Sequence, residues 1–229
     1  PVIEVPFDAE FNLPARLAKT GAALTIVCNP NAPSGTLVPV EELGSLAEEL
    51  KGRGVLLIDE AYVDFAPRSC ASLVKNFENV IVLRSMSKGY SLAGLRFGYG
   101  IACRKLVEGL LKGKDSYNVD AISIAAATAA IRDQPYFSAN AEKVKAERAS
   151  LIASLRSIGL EALDSHANFV LVRIGGAAAK RVCDELAARG IYVRYFAELS
   201  DRLRISVGTA EQNGRLLEAI EQILQRCKT

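Results

Sequence analysis

Short apolar, β-branched runs alternate along this chain with stretches of helical period, and several of the runs end on a polar residue followed by turn formers. Residues 23–28, 55–58, 80–83 and 97–102 have the length and makeup of strands, while 40–53 and 104–112 repeat apolar positions at helical spacing. That order predicts the α/β class with a mostly parallel sheet, because crossover helices cover its faces. Residues just past the carboxyl ends of such strands line the crevice where open α/β sheets bind ligands.

Beyond residue 119 the pattern turns helical over 121–131 and 140–158, until Gly159 stops it. Short strands at 160–163, 169–174, 191–195 and 203–207, with helices over 177–189 and 211–226, predict a smaller C-terminal α/β domain. The division expected is a partial large domain over 1–139 and a small domain over 140–229. The chain opens at Pro1 into residues 2–7, which read as a strand already inside a fold, so an N-terminally truncated chain is expected.

At 229 residues, half of them hydrophobic, the sequence is long enough to bury a full core. Its net charge of +2, from 28 basic and 26 acidic residues, comes without a basic run interleaved with aromatics, which argues against a nucleic-acid partner. Cys28, Cys70, Cys103, Cys183 and Cys227 are scattered, without the close pairs of metal or redox motifs. No metal is expected, and a reducing cytoplasm fits. There is no apolar run of about eighteen residues and no charged-then-apolar leader, so no membrane partner is expected.

Four polar positions follow the strands of the first part. Asn29 ends one run and opens the loop Asn29-Pro30-Asn31-Ala32-Pro33-Ser34-Gly35; Asp59 ends the next; Lys88 follows the third; Arg96 precedes the fourth. A parallel sheet would present them at one rim. Lys88 lies in Ser85-Met86-Ser87-Lys88-Gly89-Tyr90, where hydroxyls precede it and an arginine stands eight residues on. A primary amine condenses with an aldehyde, and Ser85, Ser87 and Arg96 are groups that hold a phosphate dianion, a combination that points to pyridoxal 5'-phosphate. Asp59 would keep the pyridine nitrogen protonated, and Asn29 and Tyr62 are suited to the phenolic oxygen. Desolvation and a nearby cation would lower the lysine from its solution value of about 10.4, leaving it fit to move a proton.

Blander readings stand beside these. Most lysines are solvated surface charges, Asn29 suits a turn, and Asp59-Glu60 suits a helix cap or a magnesium site. The phosphate loop that would accompany such a magnesium site is missing from the sequence. His166, the lone histidine, reads as a loop or packing residue. Arg204, inside an apolar strand, suits a bidentate carboxylate or a structural ion pair; Arg194 suits a second anion or solvent.

The motifs Asn29 to Gly35, Asp59-Glu60-Ala61-Tyr62, Ser85-Met86-Ser87-Lys88 through Leu95-Arg96-Phe97-Gly98, and Leu203-Arg204-Ile205-Ser206-Val207-Gly208 together resemble the ordered motifs of the fold-type I, class I/II, pyridoxal-phosphate-dependent aminotransferases. Within that family the likeness is nearest to members that act on histidinol phosphate. The resemblance spans nearly the whole chain. It implies that Lys88 bonds the cofactor aldehyde, Asp59 pairs with the ring nitrogen, Asn29 and Tyr62 meet the phenolic oxygen, and Ser85, Ser87 and Arg96 hold the phosphate. It further implies Arg204 for the substrate α-carboxylate and Arg194 for the substrate's own phosphate.

The activity implied is amino transfer between L-histidinol phosphate and 2-oxoglutarate, with glutamate as the other partner, by a cytoplasmic homodimer of histidine biosynthesis. The alternatives are decarboxylation of a phosphorylated amino acid such as threonine phosphate, or an inert fragment. Ser85 stands where many relatives carry threonine, and the segment 195–201 is shorter than the family pattern. Roughly a hundred further upstream residues are expected of such a large domain, so this chain alone is expected to be inactive.

Overall fold

The computed structural model describes residues 1–175 and 178–226. Two sheets form, each with its own core. The first contains β1 (Leu24–Cys28), β2 (Val55–Asp59), β3 (Val80–Ser85) and β4 (Gly98–Ala102), in that order across the sheet. β1, β2 and β3 are parallel, and β4 runs antiparallel to β3.

Helix α1 (Val40–Leu50) makes the right-sized crossover between β1 and β2, and its Leu43, Leu46, Ala47 and Leu50 recur on one buried face. That face meets Val27, Leu56, Ile58, Val80 and Val82, the inward residues of the three parallel strands. The sheet is mostly parallel, as expected, with β4 as its antiparallel strand. Residues 86–97 loop back beside β3 instead of crossing over, so Ser85 pairs with Gly98 and the loop's two ends lie together. Residues 2–7, read above as a strand, adopt no regular structure.

Helices α2 (Arg104–Gly113), α3 (Ala121–Arg132) and α4 (Gln134–Ser157) follow. α4 starts six residues before the expected position, because Pro135 sits in its first turn, where a missing N–H costs no helical bond. The expected division at 139/140 falls inside this one helix. The second sheet contains β5 (Glu161–Ala162), β6 (Phe169–Arg173), β7 (Arg194–Tyr195) and β8 (Arg202–Ser206), ordered β5-β6-β8-β7 and antiparallel throughout. Helices α5 (Ala178–Ala188) and α6 (Ala210–Arg226) pack on it with α4, burying Leu155, Val182, Leu186, Ile220 and Ile223 against Val170, Val172, Leu203 and Ile205.

The run expected over 191–195 pairs only at its last two residues. The helix expected from 177 has its first residue outside the described part, as does Cys227. Among the described residues no helix is long and apolar enough to cross a membrane.

The two lobes meet at a small number of specific contacts. The His166 amide donates to Gly35 O at 2.8 Å, and Tyr62 meets Phe169 edge to face, centroids 5.1 Å apart. Gly35 has φ +79°, and a Cβ there would collide with Ser165 Oγ, so glycine is required on two counts where the first loop touches the second lobe.

Candidate active site

Register places the site. Cys28, Asp59 and Leu83 lie side by side across the ends of β1, β2 and β3, with Asp59 in the middle. The Asn29 amide N–H continues the ladder by donating to Asp59 O at 2.8 Å, and Glu60 N–H donates to Leu83 O at 2.9 Å. Asn29, Asp59 and the Lys88 loop therefore leave the sheet at one rim, as expected for residues beyond parallel strand ends.

Asp59 Oδ1 accepts from the Ala61 N–H at 3.0 Å, and its other carboxylate oxygen has no hydrogen bond among the described residues. The half-buried Lys88 has neither an acid nor a hydrogen bond for its Nζ among the described residues; its one polarised neighbour is the Tyr62 ring, 5.1 Å from the ammonium to the centroid. A lysine held this way keeps its amine available.

Asn29 is fully engaged elsewhere. Its Oδ1 accepts from Val38 N–H at 2.8 Å, while Nδ2 donates to Val38 O at 3.1 Å and reaches Cys70 Sγ at 3.5 Å. The amide thus ties the loop 29–38 to the core, and donation to a bound ring would exchange one Nδ2 contact, the longer being that to Cys70 Sγ. Within that loop the buried Asn31 donates to Ser34 Oγ at 2.8 Å.

Ser85 Oγ accepts from Ser87 N–H at 3.1 Å. The loop beyond is closed by Met86 N–H to Phe97 O at 3.1 Å, so Ser85, Ser87 and Arg96 belong to one closed turn with Lys88. Arg96 is left-handed, φ +53°, and its exposed guanidinium donates to Ala93 O at 3.0 Å. The αL backbone turns the chain back into β4 at this position.

Beneath the rim runs a charged network that the sequence reading did not place. Glu60, only 1% exposed, accepts from Arg84 Nε at 2.7 Å, Ser69 Oγ at 2.9 Å and Cys70 N–H at 2.5 Å. Asp64 Oδ2 accepts from the Gly89 N–H at 3.2 Å, and any Cβ on Gly89 would collide with the Asp64 side chain. The residue after Lys88 is thereby pinned. The available signal was Arg84 within β3, since a guanidinium in an apolar strand requires a partner.

Burial pushes the Asp64 carboxyl above its ordinary 3.8, although Arg84 and the Gly89 bond pull the other way. The folded state then binds this proton more tightly than the unfolded chain, so its contribution is present below pH 3.8 and is lost as pH rises through the folded value. Asp64→Asn should remove that loss: thermal midpoints measured from pH 4 to 7 should show the variant gaining on the wild type as pH rises. A gap that narrows with pH would contradict this. Burial and the Asp59 charge raise Cys28 to about 11; burial and Glu60 raise Cys70 to about 12, so neither thiol is a nucleophile at neutral pH. His166 is pushed down by burial and by Arg148, consistent with a packing residue.

From Tyr62 the site continues into the second lobe. The Arg204 guanidinium lies 4.9 Å from the Phe169 ring centroid and 5.4 Å from that of Phe196, whose ring also has Arg194 at 5.6 Å. Arg194 and Arg204 are direct cross-strand partners. Neighbouring Arg173 and Arg202 pair with Asp201, and Arg173 also with Glu161, yet Arg194 and Arg204 have no acid among the described residues. Two like charges placed opposite each other without counter-ions among the described residues have the chemistry to take an anion between them.

The profile of the family described as aminotransferase class I and II matches residues 12–220. Among curated proteins, histidinol-phosphate aminotransferase 1 of Trichormus variabilis is 46% identical over 98% of this chain and 64% of its own length. The chain thus spans somewhat under two thirds of that relative. A crystal structure of histidinol-phosphate aminotransferase from Sinorhizobium meliloti, in complex with pyridoxal-5'-phosphate, superposes with TM-score 0.89 at 30% identity, covering 98% of this chain and 64% of that one. The structure of L-threonine-O-3-phosphate decarboxylase from Porphyromonas gingivalis gives 0.77 at 25% identity, covering 88% and 64%.

Proposed function

Because the chain belongs to the class I and II aminotransferases, we propose that it binds pyridoxal 5'-phosphate and serves amino transfer between L-histidinol phosphate and 2-oxoglutarate. Its fold is the fold-type I arrangement, with a mostly parallel sheet in the larger lobe and a smaller C-terminal α/β lobe. The observation that carries the reading is a half-buried lysine without an acid or hydrogen-bond partner among the described residues, at the same sheet rim as a carboxylate with one oxygen unbonded among them.

Those residues fit the cofactor. Lys88 would bond its aldehyde, Asp59 would face its ring nitrogen, Tyr62 its phenolic edge, and Ser85, Ser87 and Arg96 its phosphate, once the Arg96 guanidinium leaves Ala93 O. When bound, pyridoxal phosphate supplies an aldehyde and an electron-accepting ring. Lys88 Nζ, free once the substrate amine has displaced it from the aldehyde carbon, would take the proton from the carbon that bears that amine. Arg204 holds the carboxylate of glutamate or 2-oxoglutarate, Arg194 the phosphate of histidinol phosphate, and Phe196 keeps the two cations at fixed separation. The protein acts as a homodimer in the cytoplasm.

Arg204→Ala should raise KM for glutamate by roughly 10- to 100-fold, the loss of about 1.5–3 kcal/mol for a charged hydrogen bond. An unchanged KM would remove Arg204 from the site. Decarboxylation of a phosphorylated amino acid remains the second reading, favoured by the fold shared with the threonine-phosphate enzyme. Product analysis separates the two: the full-length protein with pyridoxal phosphate, histidinol phosphate and 2-oxoglutarate should form glutamate. Carbon dioxide from threonine phosphate, with no glutamate formed, would favour the decarboxylase.

A further inference from the structure

We infer that Arg148, on α4, is a positioning residue that sets the separation between Lys88 and Arg204, an inference that rests on reading those two residues as the ends of one site. Its Nη1 donates to Phe65 O at 3.2 Å and to Ala167 O at 2.8 Å. The two carbonyls come from different lobes. Phe65 closes the turn that begins at Tyr62, and Ala167 stands two residues before Phe169. One guanidinium nitrogen therefore bridges both backbones that carry the Tyr62–Phe169 contact, 5.1 Å between centroids. Lys88 Nζ rests on Tyr62, and Arg204 rests on Phe169.

The remaining environment supports a fixed bridge over a surface charge. Arg148 has no acidic partner among the described residues, and burial lowers its pKa, so the cation is held by carbonyl dipoles alone. A half-buried cation without a counter-ion among the described residues carries a desolvation cost, and carbonyl bonds that no apolar side chain makes offset it. The His166 amide to Gly35 O bond runs beside it, across the same junction. Lysine carries the charge but ends one bond short of Nη1, and methionine keeps the stem without donors.

The test, on the full-length protein, compares wild type with Arg148→Met and Arg148→Lys in three measurements: amide hydrogen exchange, cofactor affinity by absorbance titration, and KM for glutamate. Arg148→Met should speed exchange in 62–66 and 163–169, leave the β2, β3 and β6 interiors protected, change cofactor affinity less than threefold, and raise KM on the order of tenfold to a hundredfold. Arg148→Lys should recover only part of each change. Full recovery in Arg148→Lys, unchanged exchange at the junction, or a parallel loss of cofactor and glutamate affinity with general deprotection would each overturn the inference. If the wild type turns over no carboxylate substrate, the proposed function fails, and junction exchange in Arg148→Met still decides the bridging role.

Discussion

Lys88→Ala should abolish amino transfer, with kcat falling on the order of 10⁴-fold, the upper range for a positioned acid–base group. In the proposed reaction the substitution removes both the amine that would bond the aldehyde and the base that would move the substrate proton. Because Lys88 Nζ lies over the face of Tyr62 and has no acid or hydrogen bond among the described residues, the thermal midpoint should barely change, and loss of activity will not reflect loss of fold. Lys88→Arg should be equally inactive: a guanidinium keeps the charge but stays protonated and cannot condense with an aldehyde. Single-turnover kinetics with histidinol phosphate measures this. Appreciable activity in Lys88→Arg would mean that charge near Tyr62 is what matters, and covalent catalysis by this residue would be ruled out.

Glu60→Ala should cost about 3–5 kcal/mol, since it strands the Arg84 guanidinium beneath the rim without its carboxylate. Arg84 is 19% exposed at its side chain and Glu60 0%, so little water is at hand to replace the lost bond. Ser69 Oγ and the Cys70 N–H also lose their acceptor. At this chain length the midpoint should fall by roughly 6–20 °C. Replacing both partners, as in Glu60→Leu with Arg84→Met, should recover much of the loss, because the penalty belongs to the unpaired charge. A loss under about 1 kcal/mol in Glu60→Ala would place the pair among ordinary surface ion pairs.

What could be read without coordinates follows from how residues advertise burial. β1, β2 and β3 announce themselves by apolar, β-branched runs, and each candidate at a strand end lies at the rim where the parallel pattern puts it. β4 has a similar composition, yet direction is not encoded in composition; the Met86–Phe97 bond that reverses the chain joins two backbones. Asn29 is ambiguous for a related reason: the residue type suits both a ligand contact and a loop tie, and only coordinates show Val38 on both sides of its amide.

Asp64 and Arg148 were invisible for a different reason. Arg148 sits in α4 among Glu142, Lys145 and Glu147, where a charge reads as a solvated face. Its carbonyl partners lie 83 and 19 residues away. Arg204 stands out in the sequence because a cation inside an apolar strand lacks that alternative, and Arg84 carries the same signal.

The central claim is that the amine of residue 88 bonds the cofactor. Borohydride reduction of the protein incubated with pyridoxal phosphate, followed by proteolysis and mass mapping, should find the reduced pyridoxyl group on the peptide carrying Lys88 and nowhere else. A label on another lysine, or a scatter across surface lysines with residue 88 unmodified, would contradict it.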